Sequence, residues 1–143
     1  MHFQIKSASL FLVFALGFPA TSAPASNTPR PVFPLREDIN RYIAQQDTSP
    51  AQKRALQQLA HAIANILAVN GADPSALLSS DYALQAAGSC LFSLYNEPVQ
   101  PHAISTNLER LTVNTPPLIR QYLQYQQTMD GKVLASPHGN TCR

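Results

Sequence analysis

The amino-acid sequence predicts an all-α protein: a single small bundle of four to six helices with one disulfide. Three observations lead there. Apolar residues recur at three- and four-residue spacing over long runs, and nothing beyond short pieces such as Lys132-Val133-Leu134 alternates in the manner of a strand. Proline-rich connections separate these runs, and their shortness favours antiparallel neighbours. The third is the pair of cysteines, Cys90 and Cys142, in a chain whose N-terminus reads as an export signal.

Residues 1–25 carry that signal. His2 and Lys6 give a weakly basic start, Ser9 to Phe18 form an apolar core, and small residues follow with cleavage points after Ala23 or Ala25. Ala25 is preferred, because the other cut leaves Pro24 as the first residue. An apolar run of about ten residues is too short to anchor the chain across a bilayer. No cysteine lies near the cut, so lipid attachment is unsupported. Residues 26–34, with three prolines and no periodicity, read as an extended leader, and residues 35–143 as a single helical domain with an irregular C-terminal tail.

Within that domain the first helix runs from Leu35 to near Asp47. Leu35, Ile39, Tyr42 and Ile43 share a face, and Glu37 and Asp38 suit the positive end of its dipole. The second, organising helix starts at a Ser49 cap followed by Pro50. Leu56, Leu59, Ala60, Ile63, Ile66 and Leu67 form its stripe; Arg54, Gln58, His61 and Asn65 lie opposite, and Asn70-Gly71 supplies a stop. At 1.5 Å per residue it is a rod of roughly 30 Å, the diameter of a small domain.

Asp73-Pro74 restarts the chain as a cap and first turn, with Ser79-Ser80-Asp81 as a kink or a new cap. From Asp81 to Tyr95 a third helix places Ala83, Leu84, Ala87, Leu91, Leu94 and Tyr95 on a broad face, with Cys90 at its edge. A weaker helix from Pro101 to Val113 carries Ile104, Leu108 and Leu111. The last, from Pro117 to Asp130, carries Leu118, Ile119, Tyr122, Tyr125 and Met129, with Leu123 at the border and Arg120, Gln121, Gln124 and Gln127 outside. A Cys90–Cys142 bridge would pin the remaining tail and close a loop worth about 4 kcal/mol in the chain-entropy model. The absence of any Cys-x-x-Cys disfavours a redox role.

Charged residues make up 13% of the chain, against roughly a quarter in ordinary domains, and the formal net charge is +2. No basic block offers a footprint for nucleic acid or for anionic lipid. No nucleophile elbow, His-Glu-x-x-His or phosphate-binding glycine loop occurs, and His61, His102 and His138 fall on different elements. These residues imply no cofactor and no metal. Tyr82 and Phe92 fall off the main apolar face of their helix and are the candidate interface residues. Tyr95, Tyr122 and Tyr125 share faces with leucine or isoleucine and read as core.

In size, export signal, helix content and cysteine count the chain resembles small one-disulfide helical periplasmic proteins, among them acid-stress chaperones and immunity proteins against interbacterial toxins. No motif is shared, so the resemblance assigns no residue a role. The function expected is an exported, periplasmic or extracellular, non-enzymatic protein that binds another protein, as inhibitor, immunity factor or accessory subunit. The rivals are a helical carrier of an apolar small molecule and a small hydrolase with an unrecognised site. Intact mass and N-terminal sequencing of the protein from its native host should find Ser26, or else Pro24, at the start; a chain retaining Met1 would remove the export reading.

Overall fold

The computed structural model describes residues 34–69 and 73–143. The expected signal, its cleavage points, the leader up to residue 33 and the Asn70-Gly71 stop lie outside the described residues. Five helices and no strand occur among the described residues: α1 (Glu37–Gln45), α2 (Pro50–Ala68), α3 (Pro74–Ser93), α4 (Val99–Thr112) and α5 (Pro116–Met129). The protein is all-helical, as its periodicity predicts.

Local chemistry accounts for the helix starts. At α2 the Ser49 hydroxyl accepts from the Gln52 N–H (3.3 Å) while the Gln52 side chain accepts from the Ser49 N–H (2.8 Å), a reciprocal capping box. Asp73 opens α3 by accepting from the N–H groups of Ser75 and Ala76 (3.0 and 3.1 Å), and those bonds hold its carboxyl below the usual range. Pro50, Pro74 and the Pro116-Pro117 pair occupy first-turn positions, where a missing N–H costs no intrahelical bond. The same allowance corrects the predicted start of α4. The helix begins at Val99, so Pro101 lies in its first turn, buried, rather than at its boundary.

Among the described residues α2 packs against all four other helices. Its inner side is wider than the predicted stripe, because Ala55 and Ala62 are buried along with Leu56, Leu59, Ala60, Ile63 and Ile66. Leu67 is only half-buried. Two clusters form around this rod. The larger joins Ile39 and Ile43 of α1, the N-terminal two thirds of α2, Ala87, Cys90 and Leu91 of α3, and Ile104 and Leu108 of α4. The smaller gathers Ile66, Leu77 and Tyr125, and Leu84 packs against both.

Four expectations are corrected. There is no kink or new cap at Ser79-Ser80-Asp81: α3 is continuous, and Ser80 and Asp81 lie buried on the same face as Leu77, Leu84, Ala87 and Leu91. A helical stripe persists there, but two of its members are polar, which masks it in the sequence. Cys90 is not at the edge of that face but inside the larger cluster. On α5 only Tyr125 is buried, while Leu118, Tyr122 and Met129 are half-buried and Ile119 is exposed, so this helix leans on the bundle by one edge. Finally, His61, predicted to lie opposite the apolar stripe, is half-buried, and desolvation pushes its imidazole pKa down.

The tail is held at three adjacent points. Cys142 is bonded to Cys90, with Cα atoms 4.9 Å apart. On either side of it, Gln58 of α2 donates to the Thr141 carbonyl (2.9 Å) and accepts from the Arg143 N–H (3.0 Å). The bridge therefore ties the end of the chain into the core instead of over its rim. Ile63→Asp, which sets an unpaired charge at the centre of α2, should leave the chain unfolded or loosely packed in equilibrium denaturation; Arg54→Ala, exposed on the other side, should stay within about 0.5 kcal/mol of wild type.

Candidate functional site

The surface of α3 is the least ordinary part of this protein. Its apolar residues are spread around the whole circumference, a pattern that belongs to helices enclosed on every side. Among its twenty residues the one charged side chain, Asp81, is buried. Yet Leu78, Tyr82 and Phe92 stand 40%, 45% and 40% exposed. With Gln85 and Ser89 they follow a spacing of four, three, four and three residues, which at 100° per residue keeps all five within about 40° of one line. The line runs about 21 Å along the helix. Tyr82 and Phe92, the two residues singled out by the sequence, are both found on it. Leu78 and Gln85 were missed, although their spacing in the sequence could have revealed them.

Two restraints on the inner side hold this helix still. Near one end of the stripe Asp81 accepts from the Tyr125 hydroxyl through one oxygen and from the Gln85 amide through the other (2.6 Å). Near the other end Cys90 is bonded to Cys142. Burial, followed by the bond to Asp81, pushes the Tyr125 phenol far up. Its neighbour Tyr122, with ring centroids 5.8 Å apart, is pushed up to about 12 by burial and by the nearby Glu109. Tyr95 is also raised by burial, and its hydroxyl is withdrawn from solvent with no hydrogen-bond partner. These phenols stay protonated across the physiological range, so they act as packing groups and donors rather than bases.

Two hollows flank α2. One, of about 310 Å³, lies between Ile66, Val69, Leu77, Gln121, Gln124 and Tyr125. The other, of about 260 Å³, is more apolar and lies between Leu35, Ile39, Ala64, Leu67, Thr112 and Leu118, with Arg36 at its border. That arginine is already engaged: it holds Asp38 by two bonds (2.8 and 3.1 Å) and donates to the Leu111 carbonyl (2.6 Å). Its guanidinium lowers the Asp38 carboxyl pKa. Both hollows are near or below the usual lower size of ligand pockets, about 300 Å³.

Among the described residues no three His, Cys, Asp or Glu side chains stand close enough to share a metal ion. His61 lies on α2, His102 on α4 and His138 in the tail, the last two exposed. No helix among the described residues is long and apolar enough to cross a membrane. No protein-family model, no curated protein and no solved structure matches the chain.

The Asp81–Tyr125 bond yields a direct test of what holds α3 in place. Tyr125→Phe leaves one Asp81 oxygen buried without its donor and should cost about 1–3 kcal/mol in chemical denaturation. Tyr82→Ala, one residue along but facing outward, should cost little.

Proposed function

We propose that this is a protein-binding scaffold, without enzymatic activity, that works in an exported compartment and engages its partner through the outer face of α3. The observation that carries the reading is the mismatch between the composition of α3 and its surroundings. A helix whose one charge is buried, with apolar residues on all sides, keeps a stripe of Leu78, Tyr82 and Phe92 uncovered. A contiguous exposed apolar patch on a small protein marks an interaction surface more often than chance. Tyrosine and phenylalanine are also the side chains enriched at such interfaces. The internal Cys90–Cys142 bond supports the oxidising compartment, where disulfides persist.

An inhibitor, an immunity factor and an accessory subunit all fit this surface, because each requires a rigid face and no chemistry. The apolar hollow beside Leu67 and Leu118 supports the second reading, a carrier of a small apolar molecule. Site-specific photo-crosslinking separates the two. A photoreactive residue in place of Tyr82 or Phe92 should give a discrete protein adduct when the protein is expressed in its native compartment, and one in place of Arg54 or Gln127 should not. Equal adducts at all four positions would overturn the α3 face as the docking surface. A lipid-sized adduct from a probe at Leu118 would favour the carrier.

A further inference from the structure

The stripe on α3 has a register, and the register is complementary to itself. Turning the helix about a two-fold axis at Gln85 sets Leu78 of one copy against Phe92 of the other, at both ends. The same operation sets Tyr82 against the Gly88–Ser89 step. A Cβ built on Gly88 would meet nothing within 4 Å, so this step carries little bulk to exclude a ring. Gln85 then meets its own copy at the axis, its amide nitrogen engaged by Asp81 and its oxygen free of any intramolecular bond among the described residues. The large side chains thus meet other large ones at the rims and small ones between, the condition for two helices to approach closely.

Charge points the same way. A two-fold interface brings every charge near its own kind, and charged residues at its centre repel. The outer face of α3 has none, since Asp81 faces inward. Laying a rod about 30 Å long and 10–12 Å across against its copy buries roughly 600–700 Å² in total, the low end where weak, transient interfaces lie. From these observations we infer that the occupant of the α3 face is a second copy of this chain, in an antiparallel two-fold dimer centred on Gln85. The inference rests on the α3 face being a docking surface and names its partner.

The area predicts a weak dimer, in reversible equilibrium at micromolar concentration. Sedimentation equilibrium of the oxidised full-length protein should therefore show mass rising from one chain to two across that range. Tyr82→Arg and Ser89→Glu, each alone, should weaken association at least tenfold, with the thermal unfolding midpoint of the monomer unchanged. Combined in one chain they should restore it, because the two-fold sets each new arginine against the partner's new glutamate, twice. A wild-type chain that stays monomeric to high micromolar concentration overturns the dimer. So does a double variant no better than either single one, which would move the contact off this register. The two readings part cleanly under crosslinking: foreign-protein adducts at Tyr82 with a monomeric wild type defeat the dimer alone, whereas no adduct at Tyr82 or Phe92 defeats the α3 face itself.

Discussion

The bundle depends on the contact between α2 and α3. Both helices bring alanines to it: Ala60 and Ala87 are fully enclosed in the same cluster, and Ala62 is buried beside them. Small residues let helix axes approach towards the short end of the usual 8–10 Å range. Leu56, Leu59, Ile63 and Leu91 fill the space on either side. The other helices then have a surface to lean on. α1 and α4 close over the N-terminal part of α2 through Ile39, Ile43 and Leu108, while α5 reaches only its C-terminal part, through Tyr125 and Ile66. An alteration that pushed α2 and α3 apart would therefore loosen every element, whereas one on α5 would be felt locally.

With so little charge, the chain relies on amides where other small domains use ions. The two exposed pairs, Arg36–Asp38 and Arg41–Glu37, are of the sort that contribute little to stability. The bonds that join separate elements are of another kind. Gln52 caps its own helix and also donates to the Leu94 carbonyl at the end of α3 (2.9 Å). Gln58 clasps the tail on both sides of Cys142. Lys53 donates to the Ala44 carbonyl at the end of α1 (2.7 Å), and Arg36 to Leu111 near the end of α4. Helix C-termini leave carbonyls without intrahelical partners, and here long side chains from neighbouring elements supply the donors. The glutamine bonds among these are neutral and largely indifferent to salt.

Much of this architecture is legible in the residues, and the exceptions have physical causes. The caps at Ser49 and Asp73 and the first-turn prolines of α2 and α3 are local signals realised as read, and the apolar rhythm of α2 is realised with a wider buried side. Asp81 was misread because a charged residue inside an apolar run is ordinarily a boundary. What makes it interior is the Tyr125 hydroxyl, forty-four residues away and on another helix, which no local pattern reveals. The depth of Cys90 was hidden for a related reason: its position on the wheel of α3 is peripheral to one face, but the tail that covers it comes from the far end of the chain. On α5 the periodicity is genuine, yet the bundle has room for only one of its rings. Amphipathic spacing tells which residues share a face, not whether a partner fills it. The candidate site divides in the same way: Tyr82 and Phe92 were legible as outliers and Gln85 could be placed with them by spacing, while Leu78 joins the line only because the helix runs unbroken through Ser79-Ser80-Asp81.

If the α3 face docks a partner, as proposed, the unbroken helix serves recognition as much as folding. Association costs the ordering of whatever segments were free to move, so a surface already fixed keeps more of its contact energy as affinity. The stripe on α3 is fixed from behind at both ends. Asp81, next to Tyr82 in sequence, is held by Tyr125 from the inner side and by Gln85 of the stripe itself; Cys90, two residues before Phe92, is bonded to Cys142 within the core. Tyr125 and Cys142 act on buried residues of α3, so they restrain it without covering the exposed stripe. Two features that would otherwise be curiosities in a domain this small, a buried acid and a disulfide sunk in the core rather than looped over it, share this one consequence. They restrain α3 near both ends of a stripe whose outer face carries no charge.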